Sequence, residues 1–95
     1  MFIVLLRFST NKPAAGQHMD GHKAWIQEGI DDGVFLIVGS LQPAAGGAIV
    51  AHNTTRADLE ARVSRDPFVI EDVVRAEILE IEPGRVDERL GFLKG

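Results

Sequence analysis

Cysteine is absent from this chain, and basic clusters and long apolar runs are missing with it. Without cysteine there are no disulfides, no thiolate nucleophile and no thiolate metal ligand, which fits a cytoplasmic protein. Ten basic side chains stand against 14 acidic ones, for a net charge of −4, and no Lys/Arg cluster breaks that balance. Such a surface offers nucleic acid no phosphate-binding patch. The longest apolar run, Val34 to Val38 continuing into Gly39, falls far short of the roughly 20 residues that a membrane span needs. The opening Met1-Phe2-Ile3-Val4-Leu5-Leu6-Arg7 lacks the basic n-region and the apolar length of a signal peptide, and reads as a strand.

What remains is the composition of an ordinary globular protein: 95 residues, 45% apolar and 25% charged. One domain is expected over 1–95, with its core in 1–82 and a tail at 83–95. Phe2 to Phe8 is a short, partly β-branched apolar run and reads as a strand, followed by a loop over Ser9 to Gly16. A helix starts at Pro13 or Gln17 and runs to Asp32, with Gly33 as its stop. Val34 to Leu41 is the second strand, Gln42 to Gly47 a turn, and Ala48 to His52 the returning strand of a hairpin. Thr54 or Thr55 opens a second helix: Thr55-x-x-Asp58 is a shortened capping box, Leu59 and Val63 form a narrow apolar stripe, and Pro67 sets the limit. Asp72 to Ile81 is the fourth strand, closed by Pro83-Gly84, and the tail carries Leu90, Phe92 and Leu93 as residues able to dock.

The order βαββαβ predicts an α+β, ferredoxin-like fold: a four-stranded antiparallel sheet with two helices on one face. A sheet with one wet face alternates apolar and polar residues. Val34–Val38 and Phe2–Leu6 do not alternate, so both faces of this sheet are apolar. Two helices cover one face, and the same face of a second subunit in a two-fold dimer is expected to cover the other.

Candidate chemistry centres on the first helix. At about 100° per residue, His18, His22, Trp25, Ile26, Gly29 and Ile30 fall within one arc, with His22 near its middle. An imidazole there is either a packed residue held by one hydrogen bond or a general acid/base facing a pocket. Gly29 leaves space on that face, and Trp25 is placed to wall the ring. Asp66, in Ser64-Arg65-Asp66-Pro67-Phe68, also has two readings. Asp before Pro is a good N-cap for a short helical turn, and a carboxylate there can equally orient His22 as the acid of a catalytic triad does. His18 and His22 have the i, i+4 spacing of helical metal ligands, but Met19 stands where the metalloprotease pattern needs Glu. A third ligand would have to be His52 or a carboxylate, and no metal or other cofactor is expected. Ser40 lies outside any Gly-x-Ser-x-Gly elbow, which leaves it a hydrogen-bonding role toward a ligand or His22. Gly46-Gly47 lacks the Gly-Lys-Ser/Thr of a phosphate loop, and Arg62 and Arg65 read as solvated charges near a helix C-terminus.

A strand opening the chain, a helix carrying His22, Gly39 closing the second strand, a glycine-containing hairpin and Asp66-Pro67-Phe68 before the last strand together resemble the YCII-related (YciI-like) family over about residues 1–82. The resemblance implies a dimeric α+β barrel of ferredoxin-like subunits and a pocket with a paired His and Asp, matching His22 and Asp66. Members with assigned chemistry act as lyase-like or dehalogenase-like enzymes on small ring compounds. In one respect the chain departs: Met19 stands where the family often has Arg three residues before the His, so an anionic substrate held there is not implied.

Two functional expectations follow. In the first, a small cofactor-independent enzyme uses His22 to move a proton on a small cyclic or aromatic substrate, in lyase, isomerase or dehalogenase-like chemistry. Asp66 fixes the imidazole, Ser40 and His18 contact the ligand, and Trp25, Phe35, Leu41 and Phe68 form apolar walls. In the second, the chain is a non-catalytic dimeric module that binds a small molecule or assists a partner, and His22–Asp66 is a structural hydrogen bond.

Overall fold

The computed structural model describes residues 1–94. Its elements are β1 (Phe2–Phe8), α1 (Ala15–Asp31), β2 (Phe35–Leu41), β3 (Gly46–Ala51), α2 (Arg56–Val63), α3 (Pro67–Ile70) and β4 (Val74–Glu80). Short 3-10 segments precede α1 at Lys12–Ala14 and occupy the tail at Glu88–Leu93. The strands form one antiparallel sheet in the order β2-β3-β1-β4, the ferredoxin-like α+β topology. No helix among the described residues is long and apolar enough to cross a membrane.

Central β1 fixes which side of the sheet is which. Val4 lies between Ile49 of β3 and Ile78 of β4, while Ile3 lies between Val50 and Leu79. Phe2, Val4, Leu6, Ile49 and Ala51 are buried against Trp25, Leu59, Val63 and Phe68, so the helices all pack on that one side. Strand pleating then places Ile3, Leu5, Val50 and Leu79 on the open side. Three helices cover the packed side where two were expected. The third, α3, is one turn long and exists because Asp66 caps it and Pro67 fills its first position.

Capping and patterning account for the other helices. Thr55 Oγ1 accepts from the Asp58 N–H at 3.1 Å, opening α2, and Leu59 and Val63 are its buried stripe. On α1 the residues turned to the core are Ala15, Met19, Trp25, Ile26 and Gly29, with the half-buried His22 in the middle of that line. Ile30, expected on the same arc, is exposed; the buried stripe leans toward Met19 instead. β2 begins at the buried Phe35 opposite Ala51, but the next pair is Ile37 with Val50, a bulge of one residue. Past the bulge every side chain changes face.

The open side carries apolar residues, as the unbroken runs predicted, beside the charged Arg7, Arg75 and Glu77 on the same face. Ile37 is 62% exposed and Leu79 and Ile81 are each 43% exposed. The tail, whose docking place the sequence left open, lies over one edge of this side. Val86, Leu90, Phe92 and Leu93 close a cavity of about 480 Å³ against Leu36, Ile37 and Val50. Ile3, Leu5, Leu79 and Ile81 do not line that cavity.

The segment entering α1 and the segment leaving α3 are laced together. Ser9 N–H donates to Val73 O at 2.9 Å, Asn11 N–H to Asp72 O at 3.0 Å, and Asn11 Nδ2 to Glu71 O at 2.8 Å. The hydroxyls of Thr10 and Ser9 both donate to the Asp72 carboxylate. Asp72 itself has a left-handed φ of 56°, which is why β4 starts at Val74 and not at Asp72 as the sequence suggested. Hydrogen bonds from Thr10 first and Ser9 second, helped by the positive charge of Arg75, hold the Asp72 carboxyl below its ordinary 3.8. A carboxyl depressed in the folded state adds stability that is present above the unfolded value and is lost as pH falls through the folded one. The urea midpoint of the native protein is therefore expected to drop between pH 6 and pH 3, with part of that drop missing in Asp72→Asn. The substitution keeps a residue that tolerates positive φ, and equal drops in both proteins would remove Asp72 from the acid response.

Candidate functional site

The turn Asp66-Pro67-Phe68 meets Gly21-His22 of α1 at three points. His22 Nδ1 lies 2.7 Å from Asp66 Oδ1. The Phe68 ring stacks on the imidazole with centroids 3.9 Å apart and planes 2° from parallel. Pro67 packs against Gly21 so closely that a Cβ there would stand 3.1 Å from Pro67 Cγ. One tripeptide thus supplies an acceptor for the histidine, a floor for its ring and a seat for its helix.

A single oxygen of Asp66 makes two contacts. Its Oδ1 accepts the Phe68 N–H at 3.0 Å, which caps α3, and faces His22 Nδ1 at 2.7 Å. The residue is fully buried, and Oδ2 has no partner among the described residues. Burial of this kind sharpens the dependence of the carboxyl on its two N–H donors, since a buried polar group without partners is costly. With the carboxylate as acceptor, Nδ1 carries the hydrogen of the neutral ring and Nε2 keeps its lone pair. The His22 side chain is 13% exposed, and Nε2 has no hydrogen-bond partner among the described residues.

The walls are aromatic. Trp25, one turn along α1, stacks near the imidazole at 5.9 Å and meets Phe35 edge-on at 5.1 Å. Gly29 was expected to leave room on this face; the room is taken by Phe35, whose ring would lie 2.3 Å from a Cβ on Gly29. Trp25 is pinned by its Nε1–H, which donates to Arg62 O at 2.9 Å. Arg62 is the contributor that the sequence reading missed. It is not a solvated charge: its side chain is 15% exposed, it pairs with Asp32 at 2.9 Å, and its guanidinium sits 6.0 Å from the Phe35 ring centre. The available signal was its spacing, three residues after buried Leu59 on the same side of α2.

The remaining sequence candidates do not all gather here. His22, Asp66, Trp25, Phe35 and Phe68 form one connected group. His18 lies one turn before His22 and is half-buried. Ser40 is exposed near the end of β2, opposite Gly47, and makes no hydrogen bond to His22. Leu41 pairs with Gly46 on the open side of the sheet, the face opposite His22, because the bulge after Phe35 reverses the alternation. Among the described residues no three His, Asp or Glu side chains converge as a metal-ligand set. Among the described residues, cavities of about 280, 360, 440 and 480 Å³ open on the surface, and His22 does not line these.

No protein-family model matches the chain, and no curated protein matches it significantly. Among solved structures, the chain is similar to the 5-chloro-2-hydroxyhydroquinone dehydrochlorinase of Burkholderia phenoliruptrix AC1100, determined as a complex with 2,5-dihydroxybenzoquinone. The likeness has a TM-score of 0.70 at 12% identity and covers 88% of this chain and 96% of that one. It is a likeness of fold, reaching nearly the whole of both chains.

Proposed function

We propose that this chain is a small enzyme that needs no cofactor and uses His22 as a general acid/base on a small cyclic substrate. The observation that carries the reading is the 2.7 Å bond between a fully buried Asp66 and Nδ1, which leaves Nε2 as the ring nitrogen without a hydrogen-bond partner among the described residues. An imidazole held in one tautomer over an aromatic floor is suited to proton transfer near neutral pH. Nε2 takes a proton from the substrate as a leaving group departs with its electron pair, or returns one to a neighbouring carbon in an isomerisation. The similarity in fold to a dehydrochlorinase solved with a dihydroxybenzoquinone makes hydroxylated and halogenated rings the first substrates to try. Trp25, Phe35 and Phe68 supply the aromatic surroundings such rings favour.

The working form in this reading is a homodimer joined through the open side of the sheet, where Ile37, Leu79 and Ile81 stand exposed. A second reading has its own support: His22 is mostly buried and does not line those cavities, as a structural hydrogen bond in a binding module would be.

Turnover of a panel of chlorinated and unchlorinated di- and trihydroxybenzenes separates the two readings. His22→Gln is expected to lower kcat/KM by about 10²–10⁴-fold, with Asp66→Asn reducing kcat and sparing KM. Ligand binding without turnover, unchanged in His22→Gln, would establish the binding module instead.

For the assembly, light scattering is expected to give twice the 10.4 kDa chain mass. Leu79→Asp, which puts a charge on the open side, is expected to return the monomer mass while the far-UV spectrum stays unchanged. A native monomer would end the dimer proposal.

A further inference from the structure

We propose that Gly21 is a positioning residue for the His22–Asp66 pair, because its bare α-carbon lets α1 seat directly on Pro67. The inference rests on the reading of His22 as the working base and says what sets its geometry. Gly21 precedes His22 and Pro67 follows Asp66, so the Gly21–Pro67 contact and the His22–Asp66 bond are neighbouring rungs between α1 and the turn that opens α3. A Cβ on Gly21 would stand 3.1 Å from Pro67 Cγ and 3.7 Å from Pro67 Cβ. The first distance is tighter than most real Cβ contacts and requires a shift of a few tenths of an ångström; the second is an ordinary contact.

Pro67 can move its Cγ only within the pucker of a ring closed onto the backbone, and that ring holds φ near −65°. The part of the overlap that the pucker does not absorb pushes α3 away from α1. The bond that pays is the next rung, since 2.7 Å is at the short end for a nitrogen–oxygen hydrogen bond and a few tenths of an ångström of separation weaken it. Gly16 provides the internal comparison. It lies in the same helix, and nothing is within 4 Å of the Cβ it lacks.

The test reads the His22 ring by nitrogen-15 NMR, through the Nδ1 proton and the two ring-nitrogen shifts, with no substrate present. The native protein is expected to show a downfield Nδ1 proton and ring-nitrogen shifts of an imidazole whose Nδ1 donates to a carboxylate. Asp66→Asn, with a weaker acceptor, marks the loosened state. Gly21→Ala is expected to lose the downfield proton and move toward the Asp66→Asn pattern, while Gly16→Ala keeps the native one. The double variant Gly21→Ala/Pro67→Ala removes the Cγ that the new methyl strikes and is expected to recover the native signature, as is Pro67→Ala alone. If Gly21→Ala does not fold, a folded double variant with the native signature still supports the proposal, and an unfolded one overturns it. A native signature in Gly21→Ala, or a double variant that stays loosened, also overturns it. Absence of turnover in the native protein would count against the enzyme reading and leave these spectra unaffected, so the two failures are distinguishable.

Discussion

The hydrogen bond between His22 and Asp66 is the constraint around which the packed side of this molecule is arranged. It joins two elements far apart in sequence, and a change at either end alters the surroundings of the other. Asp66 is fully buried with its second oxygen unpartnered, so the same carboxyl oxygen must serve the histidine and the cap of α3. Removing the histidine would leave a buried carboxyl with one donor. Removing the carboxyl would leave an imidazole with an unfixed tautomer and a helix turn without its cap. Such coupling makes the pair costly to assemble and, once assembled, hard to misplace.

Support for that bond comes from outside it, at both ends of α1. At the start, the Ser9–Asn11 segment is tied to Glu71 and Asp72, so the entry to α1 and the exit from α3 move together. Further along, Gly29 lets Phe35 press against the helix, Trp25 stands edge-on to Phe35, and Arg62 holds the indole through its carbonyl. Each contact narrows the rotation and slide left to α1. A catalytic side chain carried on a helix needs that kind of external bracing, because the helix itself fixes only relations among its own residues.

Much of this was legible in the sequence, for identifiable reasons. Element order followed from apolar runs punctuated by Gly33, Pro43 and Pro83, and the antiparallel sheet followed from the order. Asp66 was visible because Asp-Pro is a helix-start signal, and its pairing with His22 was expected from the family resemblance. What escaped was register and depth. Leu41 was assigned to the wall because Phe35 and Leu41 share a strand; a one-residue bulge, which leaves no mark in composition, sends Leu41 to the other face. Gly29 read as free space because a helical wheel shows a helix without its neighbours, and the neighbour was Phe35. Arg62 read as solvated because charge predicts exposure on average, whereas its aliphatic stem and planar head here cover an aromatic ring and satisfy Asp32.

The two faces of the sheet then divide the work in a way the strand pattern already required. A four-stranded sheet apolar on both sides has to be covered twice. On one side the cover is three helices, and building that cover brings His22, Asp66 and Phe68 together. On the other side, among the described residues, a tail lies over Leu36, Ile37 and Val50, and Leu79 and Ile81 stay exposed. The burial that positions the candidate chemistry is therefore complete within one chain, while the burial that the open side lacks is not. That asymmetry gives the His22 pair a geometry set by contacts within one chain, in which the exposed apolar residues of the open side take no part.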